Sequence, residues 1–414
     1  MTETLYPNPI GGIIEAIASK SHGHRLLICA TLADRPSELY CPQRSADIDA
    51  TVNCLTAIGA KIDYVNQTFY IDPITEPRFG ELDCGESGST LRFLLPIVAA
   101  LGCGGEFILH GRLPRRPLSP LWELLEEKGI TLTRPSPDRI RVEGKLKAGV
   151  YSLAGNISSQ FITGLLMALP LLDESSEIRL TTPLESAPYV DLTLSVLRLF
   201  GLRMPPFNRG WQIPGGMTYH TPGRVRVEGD WSNAAFWLCA GAISRPVTVL
   251  GLDLNSTQGD RQIADILRAF GASVTATEEG VTVSPAPLKG ITVNVSDIPD
   301  LVPPIALVAA CAEGATVIQG AARLRLKESD RLESISGTLR ALGGRAEATE
   351  DGLIIQGGKL FGGRVNSAND HRIAMLGAVA SCVCSASVRV VGAEAVEKSY
   401  PDFWEDLERM QVPQ

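Results

Sequence analysis

The sequence lacks any apolar stretch long enough to cross a membrane. Its longest apolar runs, such as FITGLLMALPLL, fall short of the roughly 18 to 20 residues that a spanning helix needs. The first residues, MTETLYPNPIGG, contain neither the basic segment nor the apolar core of a secretory signal. We therefore expect a soluble, unprocessed protein without a membrane partner.

Excess positive charge is also lacking. The 414 residues contain 38 Lys and Arg against 46 Asp and Glu, which gives a net charge of -8 at pH 7. Nucleic-acid binding generally needs a basic face that displaces counterions from the phosphate backbone. We therefore expect no nucleic-acid partner, and any basic site must be local.

Cysteine pairs and metal-ligand motifs are absent as well. The nine Cys are scattered without CxxC spacing, and most stand inside apolar runs. This pattern is typical of buried, reduced thiols in a cytoplasmic protein. The sequence therefore predicts a cytoplasmic location, no disulfides and no metal site.

What the sequence does contain is an internal repeat of about 70 residues. Five amphipathic segments each end in a turn glycine before a strand-like stretch, and a sixth ends the chain without its glycine. The turn glycines are Gly59, Gly129, Gly201, Gly271 and Gly343. Their spacings of 70, 72, 70 and 72 residues agree too closely for a coincidental series of helices in an α/β protein.

A second series of helices, apolar nearly all round, runs between the amphipathic segments. Its members read HRLLICATLA, STLRFLLPIVAALG, SSQFITGLLMALPLL, SNAAFWLCAGAI, DLVPPIALVAACAEG and DHRIAMLGAVASCV. A helix without a polar face must be buried, and each of these follows a Ser, Asp or Asn that can cap its first turn. We predict an α/β (α+β) fold of six units, three to a domain, with one crossover between domains near residue 226.

Polar and basic residues collect at the starts of these buried helices. They are Lys20, Ser21 and Arg25 before the first helix, residues 85–92 at the second, 158–160 at the third and 370–372 at the sixth. A buried helix start leaves N–H groups and the positive end of the helix dipole without a partner, and an anion satisfies both. Taken singly, each residue is more typical of a surface charge or a cap. Their repetition predicts a cleft for a ligand set with several phosphate and carboxylate groups.

Seven motifs in a fixed order resemble the enolpyruvyl transferase family, and in particular its branch that acts on shikimate 3-phosphate. They are SKSHGHR (19–25), GESGSTLRF (85–93), RRPLSPL (115–121), SSQF (158–161), RLRLKESDRL (323–332), DHRIAM (370–375) and EKSYPDF (397–403). The resemblance implies a two-domain inside-out α/β barrel in which each domain has three βαβαββ units. It also implies an N-terminal domain of residues 19–226 and a C-terminal domain of residues 1–18 plus 227–414, with the active site in the cleft between them.

The resemblance further implies a reaction of the shikimate pathway, in aromatic amino acid biosynthesis. The enolpyruvyl (carboxyvinyl) group of phosphoenolpyruvate passes to the 5-hydroxyl of shikimate 3-phosphate, and phosphate leaves through a tetrahedral intermediate. Because Lys and Arg supply the charge neutralisation, we expect no metal or organic cofactor. We also expect a monomer whose partners are these two small molecules.

Site residues follow from the resemblance motif by motif. Those for phosphoenolpyruvate are Lys20, Gly88, Arg116, Gln160, Arg331, Arg372 and Lys398, with Arg331 and Arg372 on its carboxylate. Those for shikimate 3-phosphate are Lys20, Ser21, Arg25, Ser158, Ser159, Gln160, Ser186, Tyr189, Asp300, Arg323 and Lys327. Asp300 is the candidate base for the hydroxyl, Glu328 for protons at C3, and Lys20 a candidate acid. Nearby cations should keep the pKa of both carboxylates low, which favours base roles.

Three stretches depart from the family pattern. His22 and Gly23 stand where relatives often have a second small hydroxyl residue. Glu86 and Phe93 replace a common Asn and a common Pro, and Arg323 replaces an Asn that binds the shikimate phosphate in some relatives. The first change predicts a different arrangement of the turn before Arg25.

Two alternatives stay open. Transferases that act on UDP-N-acetylglucosamine usually carry a reactive Cys before the Arg-Pro pair, and the stretch HGRLPRRP has none. A non-catalytic anion-binding scaffold of the same fold would be expected to have lost Asp300, Glu328 or Lys20, and all three are present.

Overall fold

The computed structural model describes residues 1–411. The chain forms two compact units. The continuous unit is Lys20–Val227, and the split unit joins Met1–Ser19 to the chain from Glu228 onward.

Two kinds of α-helix alternate along the chain. The apolar, buried ones are α1 (Lys20–Thr31), α3 (Gly88–Leu101), α5 (Ser159–Ala168), α7 (Trp231–Ile243), α9 (Val302–Cys311) and α11 (His371–Ala380). The half-exposed ones are α2 (Ala46–Ala57), α4 (Leu121–Glu127), α6 (Ala187–Leu199), α8 (Ile263–Phe270), α10 (Arg331–Ala341) and α12 (Phe403–Met410). In the split unit α7, α9 and α11 contact one another, and their side chains form the centre of its hydrophobic core.

Short strands surround the buried helices. Those of the split unit are β1 (Thr2–Leu5), β2 (Gly12–Glu15), β14 (Val247–Leu250), β15 (Ser273–Ala276), β16 (Gly280–Ser284), β17 (Thr292–Asn294), β18 (Ala315–Gln319), β19 (Arg345–Ala348), β20 (Leu353–Gln356), β21 (Gly363–Asn366) and β22 (Val388–Val391). Those of the continuous unit are β3 (Ser37–Tyr40), β4 (Lys61–Val65), β5 (Thr68–Asp72), β6 (Gly80–Asp83), β7 (Gly105–Ile108), β8 (Thr131–Thr133), β9 (Arg139–Glu143), β10 (Val150–Leu153), β11 (Ser176–Leu180), β12 (Gly210–Ile213) and β13 (Arg224–Arg226).

The six sheets formed by residues 1–411 repeat one pattern, a parallel pair followed by antiparallel neighbours. Four sheets have the orders β13-β3-β5-β4, β6-β7-β9-β8, β2-β14-β16-β15 and β17-β18-β20-β19. The other two, β10-β11-β12 and β21-β22-β1, have three strands each and keep the same first steps. This repetition, with helices buried inside the sheets of each unit, confirms the predicted fold class.

Pairing between distant strands closes each unit. In the continuous unit β13 pairs in parallel with β3, with Arg224 opposite Glu38. In the split unit β1 pairs with β22 and β2 with β14, which ties the first residues of the chain to its second half.

The predicted turn glycines all adopt the left-handed backbone conformation that a side chain strains. Their φ angles are +123° at Gly59, +93° at Gly129, +82° at Gly201, +106° at Gly271 and +85° at Gly343. A Cβ at Gly59 would also lie 2.9 Å from the carbonyl oxygen of Glu76. The structure thus confirms that these residues end the half-exposed helices.

Four buried helices have the predicted side-chain caps. Ser87, Ser158, Asp230 and Asp370 each accept a hydrogen bond from a backbone N–H in the first turn of the helix that follows.

Two predictions about helix starts are wrong. Lys20, Ser21 and Arg25 lie within α1 rather than before it, because the Ser19 N–H bonds to the Glu228 carbonyl and the helix begins at the next residue. The departure at His22 and Gly23 therefore alters a helix and not a turn.

The second concerns α9, which has no side-chain cap. Its first turn contains Pro303 and Pro304, which have no N–H to satisfy, and the carboxylate of Asp300 binds arginines instead.

All nine cysteines are unpaired thiols, and six of them are buried. Within residues 1–411, no helix is both long and apolar enough to cross a membrane.

Candidate functional site

Each unit carries a cluster of charged and polar side chains at its helix starts. We call the predicted residues of the continuous unit, together with Arg92, the Arg25 cluster: Lys20, Ser21, Arg25, Gly88, Arg92, Arg116, Ser158, Ser159, Gln160, Ser186 and Tyr189. The Arg331 cluster in the split unit comprises Asp300, Lys327, Glu328, Arg331, Asp370 and Arg372.

Arg25 is buried in α1, with only 3% of its surface exposed. Its guanidinium donates to neutral oxygens: Nε to Thr193 Oγ1 at 2.8 Å and Nη1 to the Ser21 carbonyl at 2.6 Å. Nη2 donates to Thr163 Oγ1 at 3.3 Å and to the Tyr189 carbonyl at 3.0 Å. These bonds join α1 to α5 and to the start of α6, so they bring several predicted shikimate 3-phosphate residues together.

The positive charge of Arg25 has no negative partner in this unit. No carboxylate among residues 1–411 forms an ion pair with it, and burial lowers its pKa to about 10. One N–H of Nη1 also has no acceptor among those residues. A buried, uncompensated cation is unfavourable, and a bound anion would supply the missing charge.

The starts of α3 and α5 are joined through Gln160. Its Oε1 accepts from Arg92 Nη1 at 2.7 Å, and its Nε2 donates to Ser89 Oγ at 2.9 Å. A Cβ on Gly88 would lie 2.7 Å from Arg116 Nη1 and 2.8 Å from Arg92 Nη1. Any larger residue here would force one or both guanidinium groups to shift away from this helix start. Arg92 was not assigned from the resemblance, although it stands within the motif GESGSTLRF.

Lys20 is held by a carboxylate that sequence reasoning missed. Its Nζ donates to Asp47 Oδ2 in α2 at 2.7 Å. Both side chains are mostly buried, and the Asp47 carbonyl accepts a long hydrogen bond of 3.5 Å from Thr90 Oγ1 in α3. The Lys20 side chain thus joins α1 to α2, and the Asp47 carbonyl joins α2 to α3.

The predicted serines and tyrosine lie at two other helix starts. Ser158 caps α5 by accepting from the Gln160 N–H, and Ser159 is the first residue of that helix. Ser186 precedes α6 in a left-handed conformation, with φ of +55°, and Tyr189 lies in the first turn.

Arg331 is the centre of the second cluster and is 1% exposed. It donates to three carboxylates: Nε to Asp370 Oδ2 at 2.8 Å, Nη1 to Asp300 Oδ1 at 2.7 Å and Nη2 to Glu328 Oε2 at 2.7 Å. Nη2 also reaches Asp370 Oδ1 at 3.3 Å. Burial would lower the pKa of Arg331, but the charges of the three carboxylates outweigh it and raise that pKa.

Asp300 lies between three cations. Arg331 Nη1 is 2.7 Å from its Oδ1, Lys327 Nζ is 3.9 Å from the same atom, and Arg372 Nη2 is 3.3 Å from Oδ2. Burial would raise the pKa of Asp300, but Arg372, Lys327 and Arg331 hold it well below the ordinary value. The low pKa predicted for this carboxylate is confirmed, and an ionised carboxylate is equipped to accept a proton.

The two predicted carboxylate-binding arginines differ in what they can still donate. Three carboxylates occupy most N–H groups of Arg331. Arg372 donates Nη1 to the Asp300 carbonyl at 3.3 Å, and its buried Nε has no partner within residues 1–411. Arg372 therefore has more capacity for a ligand carboxylate, whereas Arg331 orients Asp300 and Glu328.

The residues of the stretch RLRLKESDRL have two kinds of partner. Lys327, Glu328 and Arg331 belong to the Arg331 cluster, whereas Arg325 pairs with Asp330 at 2.8 Å. Arg323 Nη2 donates to the Ser296 carbonyl at 2.7 Å.

Lys398 also bonds outside this network of carboxylates. Its Nζ donates to the Asn369 carbonyl at 2.6 Å, one residue before Asp370. Among residues 1–411, no three or more His, Cys, Asp and Glu side chains are grouped so as to hold a metal ion.

Comparison with known proteins identifies the family. A family model described as EPSP synthase (3-phosphoshikimate 1-carboxyvinyltransferase) matches residues 6–407. A protein named 3-phosphoshikimate 1-carboxyvinyltransferase from Clostridium beijerinckii is 40% identical and the match covers 98% of this chain and 96% of that protein. One of the same name from Clostridium kluyveri is 41% identical, with the same coverage of both chains.

Solved structures agree in fold. An EPSP synthase from Acinetobacter baumannii superposes with a TM-score of 0.84 at 26% identity, over 99% of this chain and 98% of that chain. An enolpyruvyl transferase from Streptomyces tendae has a TM-score of 0.79 at 19% identity, over 99% and 97%, which is a likeness of fold alone. These findings confirm the family that the seven motifs predicted, and the chain belongs to the EPSP synthase, or 3-phosphoshikimate 1-carboxyvinyltransferase, family.

Proposed function

We propose that this chain transfers the carboxyvinyl group of phosphoenolpyruvate to the 5-hydroxyl of shikimate 3-phosphate and releases phosphate. Family membership over nearly the whole chain supports this reaction. The observation that carries the proposal furthest is Arg25, a buried guanidinium whose protein partners are all neutral. Such a site is complete only with an anion, and both substrates are anions.

The Arg25 cluster would bind the phosphate groups. Shikimate 3-phosphate would meet Ser21 and Arg25 of α1, with the hydroxyls at the starts of α5 and α6. Phosphoenolpyruvate would place its phosphate by Lys20, Gly88 and Arg116, where a helix start and guanidinium groups converge.

The Arg331 cluster would supply the bases and bind the phosphoenolpyruvate carboxylate. Arg372 has N–H groups available for that carboxylate, and Lys327 lies beside Asp300. That both clusters act on one pair of substrates is part of the proposal.

The reaction proceeds by addition and then elimination. The 5-hydroxyl oxygen bonds to C2 of phosphoenolpyruvate and loses its proton to Asp300, while C3 gains a proton from Glu328, which enters this stage protonated. In the second stage C3 gives up a proton to Glu328, the C2–C3 double bond re-forms, and the bond from C2 to the phosphate oxygen breaks. Lys20 would neutralise charge on the departing phosphate. Catalysis of this kind depends on positioning and electrostatic stabilisation.

The test measures phosphate release from phosphoenolpyruvate with and without shikimate 3-phosphate. We expect release only when both substrates are present, and Asp300→Asn should lower the rate by about 100-fold or more while shikimate 3-phosphate still binds. Asp265→Asn, an exposed carboxylate of the same unit, serves as the control. Phosphate release at the same rate with and without shikimate 3-phosphate, or a near-normal rate in Asp300→Asn, would contradict the proposal.

A further inference from the structure

Four hydrogen-bonded side chains form a line through the continuous unit, from α1 through α2 to the start of α3. His24 Nδ1 lies 2.7 Å from Thr51 Oγ1, which lies 2.6 Å from Thr90 Oγ1. Thr90 Oγ1 lies 2.7 Å from Ser87 Oγ. None of the four residues is more than 1% exposed, so their hydrogen bonds must be satisfied within the line or by something bound at its ends.

The protonation of the His24 ring indicates which residue of each hydrogen-bonded pair is the donor. His24 Nε2 is buried and has no partner among residues 1–411. A buried N–H without an acceptor is rarer and costlier than a buried lone pair without a donor, so Nε2 carries the lone pair and Nδ1 the proton. The ring is neutral, because burial and then the charges of Lys20 and Arg25 hold its pKa well below the ordinary value.

This tautomer fixes the first two bonds of the line: His24 Nδ1–H donates to Thr51, and the Thr51 hydroxyl donates to Thr90. The Thr90 hydroxyl has two acceptors, Ser87 Oγ at 2.7 Å and the Asp47 carbonyl at 3.5 Å, and the much shorter distance assigns its proton to Ser87. Ser87 Oγ also accepts from the Thr90 backbone N–H at 3.2 Å. With two bonds accepted, Ser87 has its own O–H to donate, and no acceptor for it is found within the described chain.

The surroundings of Ser87 include two guanidinium groups, while the carboxylate of the preceding residue, Glu86, lies against Gly111. Ser87 is the N-cap of α3, and the next residue is Gly88, close to the guanidinium groups of Arg92 and Arg116. The positive end of the α3 dipole lies at the same place. A doubly charged phosphate only accepts hydrogen bonds, so a hydroxyl whose proton is held outward complements these donors.

We propose that Ser87 is a further residue that binds the phosphate of phosphoenolpyruvate, and that His24, Thr51 and Thr90 are positioning residues that orient its O–H. This inference rests on the proposed function. In the opposite orientation Ser87 would donate to Thr90, present a lone pair to the phosphate and leave a buried N–H on His24 unpaired.

The tautomer is tested by ¹⁵N NMR of protein labelled at histidine, with His24→Asn used to assign the signal. We expect Nδ1 to carry the proton and the ring to stay neutral from about pH 6 to pH 8. A ring protonated at Nε2 would overturn the proposed orientation. The measurement needs no turnover, so it stands even if the proposed reaction fails.

The binding role is tested with Ser87→Ala, Ser87→Thr and Thr90→Val. Loss of a hydrogen bond to a charged group typically weakens binding by about 10-fold or more. Ser87→Ala should therefore raise the KM for phosphoenolpyruvate and the Kd for inorganic phosphate by about 10-fold. The KM for shikimate 3-phosphate should change less than about twofold.

Ser87→Thr keeps the hydroxyl and the cap, so it should restore most of the affinity. Thr90→Val should give a smaller loss of the same kind, and Thr68→Val, on strand β5, should give none. A normal KM for phosphoenolpyruvate in Ser87→Ala, or equal losses for both substrates, would overturn the role. If the wild-type protein binds inorganic phosphate but does not catalyse the proposed reaction, the reaction proposal fails. The Kd for inorganic phosphate in the variants still decides the role of Ser87.

Discussion

Arg25 and Arg331 are both buried arginines, 3% and 1% exposed, but their surroundings are opposite in charge. Arg25 bonds only to hydroxyl and carbonyl oxygens, whereas Arg331 bonds to Asp300, Glu328 and Asp370. Burial lowers the pKa of Arg25 to about 10, whereas the carboxylates outweigh burial and raise that of Arg331.

The difference separates two tasks. The Arg25 cluster has an excess of positive charge, which an anionic ligand would neutralise. The Arg331 cluster balances three cations against three carboxylates, so its geometry is held without a ligand and Asp300 stays ionised. In the proposed function, the first cluster would bind phosphate groups, and the second would hold the bases in place and bind a carboxylate.

The largest effect should come from Arg331→Met. Removal of this cation leaves Asp370, which is 0% exposed, as a buried charge without its partner. Breaking a buried ion pair in this way typically costs about 3 to 5 kcal/mol of unfolding free energy. Urea unfolding measures the loss, and Arg340→Met, an exposed position of the same helix, is the control. A loss below about 1 kcal/mol would mean that Arg331 does not hold this cluster together.

Arg25→Gln should behave in the opposite way. The substitution removes an uncompensated buried charge, so the unfolding free energy without ligand should stay within about 1 kcal/mol of wild type or rise. Affinity for shikimate 3-phosphate should fall by at least about 30-fold, because a buried charged contact is lost. Calorimetric titration and urea unfolding check both values, with the exposed Arg198→Gln as control. If Arg25→Gln strongly lowered the unfolding free energy and left the affinity for shikimate 3-phosphate normal, Arg25 would have the structural role that we assign to Arg331.

Local patterns predicted the helices but not the charge pairs. The 70-residue period, the turn glycines and four caps follow from residues close in sequence, and the structure confirms them. Two partners do not follow in this way: Asp47 is 27 residues from Lys20, and Asp370 is 39 residues from Arg331. Those pairs arise when α2 packs on α1 and α10 on α11. Periodicity indicates which faces are buried, but not which charges meet.

The pH dependence of stability should reveal Asp260, a buried carboxylate whose pKa is raised by burial and by Asp300 of the Arg331 cluster. Asp260 is 2% exposed and hydrogen-bonds to Ser232, and burial followed by the charge of Asp300 raises its pKa to about 7. The folded state therefore holds a proton that the unfolded chain releases above about pH 4, so stability should fall as pH rises from about 4 to 7.

Asp260→Asn should remove this pH dependence and add about 4 kcal/mol at pH 8 relative to wild type, since about three pK units at about 1.4 kcal/mol each are involved. Urea unfolding at a series of pH values measures it. If wild type and variant lost stability in parallel between pH 4 and 7, Asp260 would not be the group that titrates.

The smallest effect should come from Phe93→Leu, which tests what holds Arg25 without a carboxylate. The Arg25 guanidinium carbon lies 5.0 Å from the centre of the Phe93 ring, and the His24 ring packs against that ring edge-on. A desolvated cation–π contact contributes about 1 to 2 kcal/mol, so Phe93→Leu should weaken shikimate 3-phosphate binding by about 5- to 10-fold. Phe79→Leu is the matched control, since Arg141 lies over that exposed ring at 5.6 Å. Because Phe93 would act through Arg25, its replacement should change affinity little in a protein that already carries Arg25→Gln. Full additivity of the two losses in a double-mutant cycle would show that the ring contributes to binding by another route.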